Sequence, residues 1–258
     1  MDLGLRGKVA MVAAASRGIG LATAKALAAE GCVVSICARD EERLEAATAE
    51  IGDETHSYVV DVANGEDLRW WFDQTREDVG EPAILVTNTG GPKAGSLTDM
   101  SDEDWQGGVD GTLMNVVRLV RLVGPAMAES GWGRIVHVTS LVAREPAPLL
   151  PISSTLRAGL LALTKLQALE MAPKGVTVNA VLPGHTRTDR QTHLAEVRAA
   201  RDGITVEEAL AQSEAAIPMG RFAEPEEVAA AIAFLCGTPA AAITGQSLLV
   251  DGGLVRGL

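Results

Sequence analysis

The stretch VAMVAAASRGIGLATAKALAAEG, residues 9–31, decides the fold. It opens on a short run of Val, Met and Ala, suited to a strand buried on both faces. A turn of small residues follows, and then apolar residues at helical spacing. Gly18 and Gly20 stand where strand gives way to helix. Glycine there lets the backbone approach a ligand closely, and the helix behind it aims its N–H groups and the positive end of its dipole outward. A glycine pair alone marks any tight turn. Between a first strand and a first helix, it is the arrangement that cradles a dinucleotide pyrophosphate.

The same rhythm runs along the rest of the chain. CVVSICA (32–38), HSYVV (56–60), AILVT (83–87), GRIVHVTS (133–140), GVTVNAVL (175–182) and QSLLVDGG (246–253) read as short strands buried on both faces. Amphipathic segments such as DEERLEAATAEIG (40–52), EDLRWWFDQTREDVG (66–80) and EEVAAAIAFLCG (226–237) lie between them. Strands alternating with helices imply parallel pairing through right-handed crossovers. The expected fold is therefore a single doubly wound parallel sheet, Rossmann-type, in three α/β/α layers. With no repeat or linker in the sequence, one domain is expected over residues 1–258. One segment breaks the rhythm: residues 184–218 are long and polar, and are read as a lid or substrate segment.

Composition removes several classes of function. A formal net charge of −12 and a pI near 4.8 leave no electrostatic footprint for nucleic acid or anionic membrane. Cys32, Cys37 and Cys236 form neither a CxxC nor a Cys/His cluster, so reduced, buried thiols are expected and a metal site is not. The N-terminal MDLGLRGKVAMVAAAS has no secretory pattern, membrane span or lipidation signal, and the expectation is a cytoplasmic protein.

Several further motifs make the chain resemble the short-chain dehydrogenase/reductase family, in pattern the 3-oxoacyl-acyl-carrier-protein reductases. AAASRGIG (13–20) resembles the family's TGxxxGxG, with Ala14 in place of the first glycine, and TNTGG (87–91) its NNAG turn. DV at Asp61–Val62 resembles the adenine-side pair, VLPGHTRTD (181–189) the PG turn, and ITGQSLLVDGG (243–253) the C-terminal signature. The resemblance implies that Ser16, Arg17, Gly18, Ile19 and Gly20 hold the cofactor, with Asp61 and Val62 at the adenine. It implies that Asn88 steadies the central strand and that Gly90 leaves room for the adenosine ribose. Pro183, Gly184, Thr186 and Thr188 would meet the nicotinamide. NAD-specific relatives carry an aspartate where this chain has Ala38. With no carboxylate there, and with Arg39 adjacent and Arg17 in the turn, two guanidiniums could clamp a 2′-phosphate, so the expected cofactor is NADP(H).

The reactive end departs from the family. Its serine matches Ser140, but Ser153 stands in the tyrosine's place and Arg157 in the lysine's. Thr112 takes the asparagine position, unless a slip in alignment restores Asn115 to it. A serine hydroxyl stops one bond beyond Cβ and is a poor acid at neutral pH; losing a general acid costs about 10²–10⁴ in rate. Arg157 keeps a charge and can still hold ribose hydroxyls, but it cannot exchange protons. His185, in the turn facing the nicotinamide, is the candidate substitute acid, against the plainer reading of a surface histidine at the start of the lid. Glu145 and Lys93 read as solvated loop charges, His137 as core, and Trp70 and Trp71 as core or subunit packing. Arg187, Arg190, Arg198 and Arg201 give the lid a basic cast that hints at an anionic substrate.

These readings converge on an NADP(H)-dependent oxidoreductase acting on a small carbonyl or alcohol, such as a 3-oxoacyl or other anionic compound. The named candidates are Ser140, Ser153, Arg157, Thr112 and His185. Two alternatives stay open: a dehydratase or isomerase on the same scaffold, and a catalytically silent NADP(H)-binding protein. The resemblance also implies a homotetramer, or a homodimer, with α-helix 153–172 and the C-terminal strand at the contacts.

Overall fold

The structure, a computed structural model, describes residues 1–257. Seven strands form one sheet: β1 (Val9–Val12), β2 (Val33–Ala38), β3 (Thr55–Val59), β4 (Ile84–Thr87), β5 (Gly133–Val138), β6 (Val176–Pro183) and β7 (Ser247–Val250). Their order is β3-β2-β1-β4-β5-β6-β7 and every pairing is parallel. The order reverses between β1 and β4, which opens a crevice at the carboxyl ends of those two strands.

Apolar residues alternate between two cores, because successive side chains of a strand point to opposite faces. Ala10, Val12, Ile84, Val86 and Val136 pack toward Leu27 of α1 (Gly18–Ala29) and Val228 and Ile232 of α9 (Pro225–Cys236). Met11, Leu85 and Ile135 face the other way, toward Trp71 of α3 (Gly65–Asp78), Leu119 of α5 (Asn115–Ser130) and Leu160 of α6 (Pro151–Met171). Burial on both faces explains why these strands read as unbroken apolar runs. The outer strands differ from expectation. Val59 of β3 is 48% exposed and Leu248 of β7 is 40% exposed, because an edge strand has a neighbour on one side only.

The remaining helices shape the crevice. α2 spans Glu41–Ile51, and α4 (Asp102–Gly108) runs into α5 through a π-helical turn at Val109–Met114. Gly108 allows that turn to press on α6, where an added Cβ would lie 2.4 Å from Ile152 Cγ2. Residues 184–218 fold as a helical pair, α7 (Asp189–Asp202) and α8 (Val206–Ala215), with its own small cluster of Ala195, Ala199 and Ala209. None of the described helices is long and apolar enough to cross a membrane.

Candidate active site

The cofactor end is built from backbone. Among the described residues, the N–H groups of Ser16, Arg17, Gly18, Ile19 and Gly20 donate to no protein acceptor; the first helical bond of α1 is Leu21 N–H to the Arg17 carbonyl. Gly18 sits at φ +56° against Thr188, the residue preceding α7. At Gly20 a Cβ would come within 2.5 Å of the Ala14 carbonyl and 2.8 Å of Asn88 Nδ2. Asn88 donates to that same carbonyl at 3.1 Å, so the end of β4 fixes the turn after β1. A row of free N–H groups at a helix start, backed so closely that only glycine fits, suits a pyrophosphate. Ala14 has φ +49°, the sole positive φ among described non-glycine residues. The missing first glycine is thus absorbed as local strain of about 1–2 kcal/mol, with the turn's shape retained.

Around this cradle the other candidates take definite places. Ala38 ends β2 with no carboxylate at its tip, and Arg39 beside it is 78% exposed in its side chain, 3.9 Å from Asp61 Oδ2. Asp61 Oδ1 accepts from the Ala63 N–H at 3.0 Å, and Val62 packs against the core next to it. The space beside Gly90 is open. Gly184 presses on Asp251, where a Cβ would lie 2.6 Å from Cα; buried Pro183 closes β6 before it. Thr186 Oγ1 donates to the Gly184 carbonyl and Thr188 Oγ1 to that of Thr186, both at 3.3 Å. The expected two-arginine clamp is not preassembled: Arg17 pairs with Asp189 at the head of α7, while Arg39 leans toward Asp61. The glycine turn and the head of α7 are thereby tied together.

The reactive end is built from side chains. Ser140 follows β5 and is partly exposed; its Oγ accepts a long 3.4 Å bond from the Val142 N–H, which leaves the hydroxyl hydrogen free to donate. Ser153 and Arg157, one turn apart on α6, are 5% and 6% exposed. Arg157 Nε donates to Ser153 Oγ at 3.2 Å, and Nη1 to the carbonyls of Val138 at 2.9 Å and Thr139 at 2.7 Å. Here the expectation of a guanidinium fork free for ribose needs correcting: Arg157 is bolted to the end of β5, and Nη2 alone has no protein acceptor. Burial, and then the charge of Arg190, lower its pKa to about 10, so it stays a cation at neutral pH. Ser153, holding that Nε, is likewise engaged rather than open to water.

Thr112 is buried within the π-helical turn, a deviation that recurs at functional sites. Asn115 lies just beyond it with Oδ1 accepting from the Val116 N–H at 2.6 Å. His185 leans on Phe222 and shares a 3.0 Å hydrogen bond between Nδ1 and Gln191 Oε1. His137 is enclosed between Thr87 Oγ1 (2.9 Å) and Gln167 Oε1 (2.8 Å), and burial lowers its pKa to about 4, so it is a neutral core residue. Lys93 pairs with Asp104, and Glu145 accepts from the Arg256 N–H. Trp71 is buried, with Trp70 half-exposed beside it; all three thiols are buried, which raises their pKa.

The basic cast of residues 184–218 is largely neutralised. Arg187 pairs with Glu224 and Glu214, and both Arg198 and Arg201 pair with Asp202. Arg190 differs: Nη2 donates to the Pro92 carbonyl at 2.7 Å, with the guanidinium against Gly91 beyond β4. No local signal in the sequence announced that contact, since its partners are 98 residues apart.

Comparison with known proteins agrees with this architecture. The family profile described as enoyl-(acyl carrier protein) reductase matches residues 13–255. The 3-oxoacyl-[acyl-carrier-protein] reductase of Synechocystis sp. is 38% identical, over 97% of this chain and 98% of that one. L-sorbose reductase from Gluconobacter frateurii, solved with NADPH and L-sorbose, is 33% identical over the whole of both chains, with a TM-score of 0.93. A short chain oxidoreductase from Pseudomonas aeruginosa PAO1, described as containing an atypical catalytic center, is 34% identical over the whole of both chains, with a TM-score of 0.88. By sheet order, glycine turn and full-length similarity, the chain belongs to the short-chain dehydrogenase/reductase family of NAD(P)-dependent oxidoreductases.

Proposed function

We propose that this protein is an NADP(H)-dependent reductase of small carbonyl compounds, or in reverse a dehydrogenase of the alcohols, that works without a tyrosine. The observation that carries the reading is the unpartnered row of N–H groups from Ser16 to Gly20, beside an acid-free end of β2. Arg39 is exposed and able to swing from Asp61 to a 2′-phosphate, and the relative solved with NADPH supports the same preference. When bound, NADPH supplies the hydride that becomes the new C–H bond at the carbonyl carbon. Ser140 donates its free hydroxyl hydrogen to the carbonyl oxygen. Arg157 holds the end of β5 in place and offers Nη2 to the crevice. Ser153 orients Arg157 and is too short to deliver a proton, so solvent or His185 protonates the oxygen. Thr112 is buried in the π-helical turn that packs on α6, and it supports that end of the site. A relative described as having an atypical catalytic center supports a reaction with rearranged machinery on this scaffold.

In the same reading the chain works as one unit with α7 and α8 as its lid, in the cytoplasm, as a homotetramer. Leu166 and Leu169, 63% and 65% exposed on the outer face of α6, supply the apolar surface for subunit contact.

The test is a titration followed by turnover. NADPH is expected to bind at least about tenfold tighter than NADH, a difference of ~1.4 kcal/mol, with Arg39→Asp removing the preference. A broad carbonyl panel at saturating NADPH is expected to give slow oxidation above background. Equal affinities would overturn the cofactor assignment, and a panel without turnover would favour the silent NADP(H)-binding alternative.

A further inference from the structure

Two arginines at the reactive end, Arg157 buried and Arg190 half-buried, have no carboxylate to meet them. Arg157 lies under the end of β5 and Arg190 reaches over Gly91 to the Pro92 carbonyl just beyond β4. β4 and β5 are adjacent strands, with Thr87 beside His137 in register, so both guanidiniums lie at the same carboxyl edge of the sheet. Among the described residues neither forms a salt bridge, whereas Arg187, Arg198, Arg201 and Arg221 in the surrounding segment all do. A chain with 34 acids against 22 Lys and Arg has acids to spare, yet it places none here.

The donors that remain point to a ligand. A guanidinium carries five N–H groups. Arg157 commits Nε and both hydrogens of Nη1, which leaves Nη2 without a protein acceptor and not sealed in the interior. Arg190 commits Nη2 and keeps Nε and Nη1 unmatched. The two cations repel, and a planar anion between them would relieve that repulsion and take several charge-assisted bonds.

We infer that Arg157 and Arg190 form an anion subsite for the substrate, so that the compound turned over here carries a carboxylate close to its carbonyl. The closeness follows from the chain: the carbonyl gripped by Arg157 belongs to Thr139, and the next residue is Ser140. A cofactor phosphate is the other source of an anion: its N–H row lies at the end of β1, where Gly18 meets Thr188 and Arg17 meets Asp189, next to Arg190, so the titration is built to tell the two sources apart. This inference deepens the reductase reading and rests on it for the word substrate; the subsite itself is tested by binding alone.

The experiment is calorimetric titration of the protein saturated with NADPH, using oxamate, an unreactive carboxylate next to a carbonyl, and ethyl oxamate as its uncharged partner. Oxamate is expected to bind at least tenfold tighter than the ester. Arg190→Met should erase that preference and Arg190→Lys restore part of it, with NADPH affinity within twofold of the parent in both. Equal binding of acid and ester by the parent overturns the subsite. So does a loss of NADPH affinity in Arg190→Met that matches the loss for oxamate, because the arginines would then serve a cofactor phosphate. A retained oxamate preference in a protein that reduces no carbonyl compound would uphold the subsite while overturning the reductase reading.

Discussion

The turn between β1 and α1 is built from backbone and the start of α6 from side chains, and a change of residue has opposite consequences in the two. At the turn a glycine has become Ala14, yet the five N–H groups that would meet a pyrophosphate remain free. At α6, Ser153 and Arg157 stand where the resemblance implies a tyrosine and a lysine, and two of the arginine's donors go to carbonyls at the end of β5. A site made of backbone tolerates a change of side chain as long as the dihedral angles survive. A site made of side chains does not, because its function lies in their reach and pKa.

That contrast can be broken experimentally. The largest effect is expected at the reactive end: Ser140→Ala should lower turnover by about 10²–10³, as for removal of one donor to a developing oxyanion. NADPH affinity, measured by fluorescence, should stay within about twofold, well under the 1.4 kcal/mol that separates a tenfold change. If cofactor affinity falls as far as turnover, the two regions are not separable. At the turn, Gly20→Val forces a Cβ against the Ala14 carbonyl and Asn88. Overpacking of about 1–3 kcal/mol should weaken NADPH roughly tenfold to 100-fold, with circular dichroism unchanged. An unaltered affinity would show that the N–H row is not the cradle. Ala14→Gly relieves a left-handed alanine, and after glycine's extra backbone entropy should gain about 0.5–1 kcal/mol, seen as a rise of roughly 2 °C in Tm. NADPH affinity should not move; if it rises tenfold, the alanine had distorted the turn rather than merely strained it.

How far the site was legible in the sequence differs along the same line. The turn proposed as the cofactor cradle was readable as a shape because its strand, turn and helix are consecutive, and glycine spacing reports backbone shape directly. Ser140, Ser153 and Arg157 could be located by their spacing along β5 and α6, but not what they bond to. Arg157 read as a fork open to ribose, whereas the carbonyls of Val138 and Thr139 take two of its donors. Residues 184–218 read as basic from their count of arginines, and three of the four are paired with acids on α7, on α8 or at the head of α9. The π-helical turn at Val109–Met114 was missed, although Gly107, Gly108 and Gly111 within a helical stretch were a faint sign of it.

By itself the sequence determined the layered parallel sheet, because the alternation of buried strands with amphipathic helices has few other solutions, and it located the glycine turn. Only the tertiary structure decided which strands were edges and which charges were left without partners. Pairs such as Arg17 with Asp189, 172 residues apart, or Arg190 with the Pro92 carbonyl, 98 apart, come together only because the fold lays the head of α7 across the ends of β1 and β4. Local patterns encode dihedral angles and burial. They carry no record of which distant side chain completes a charge.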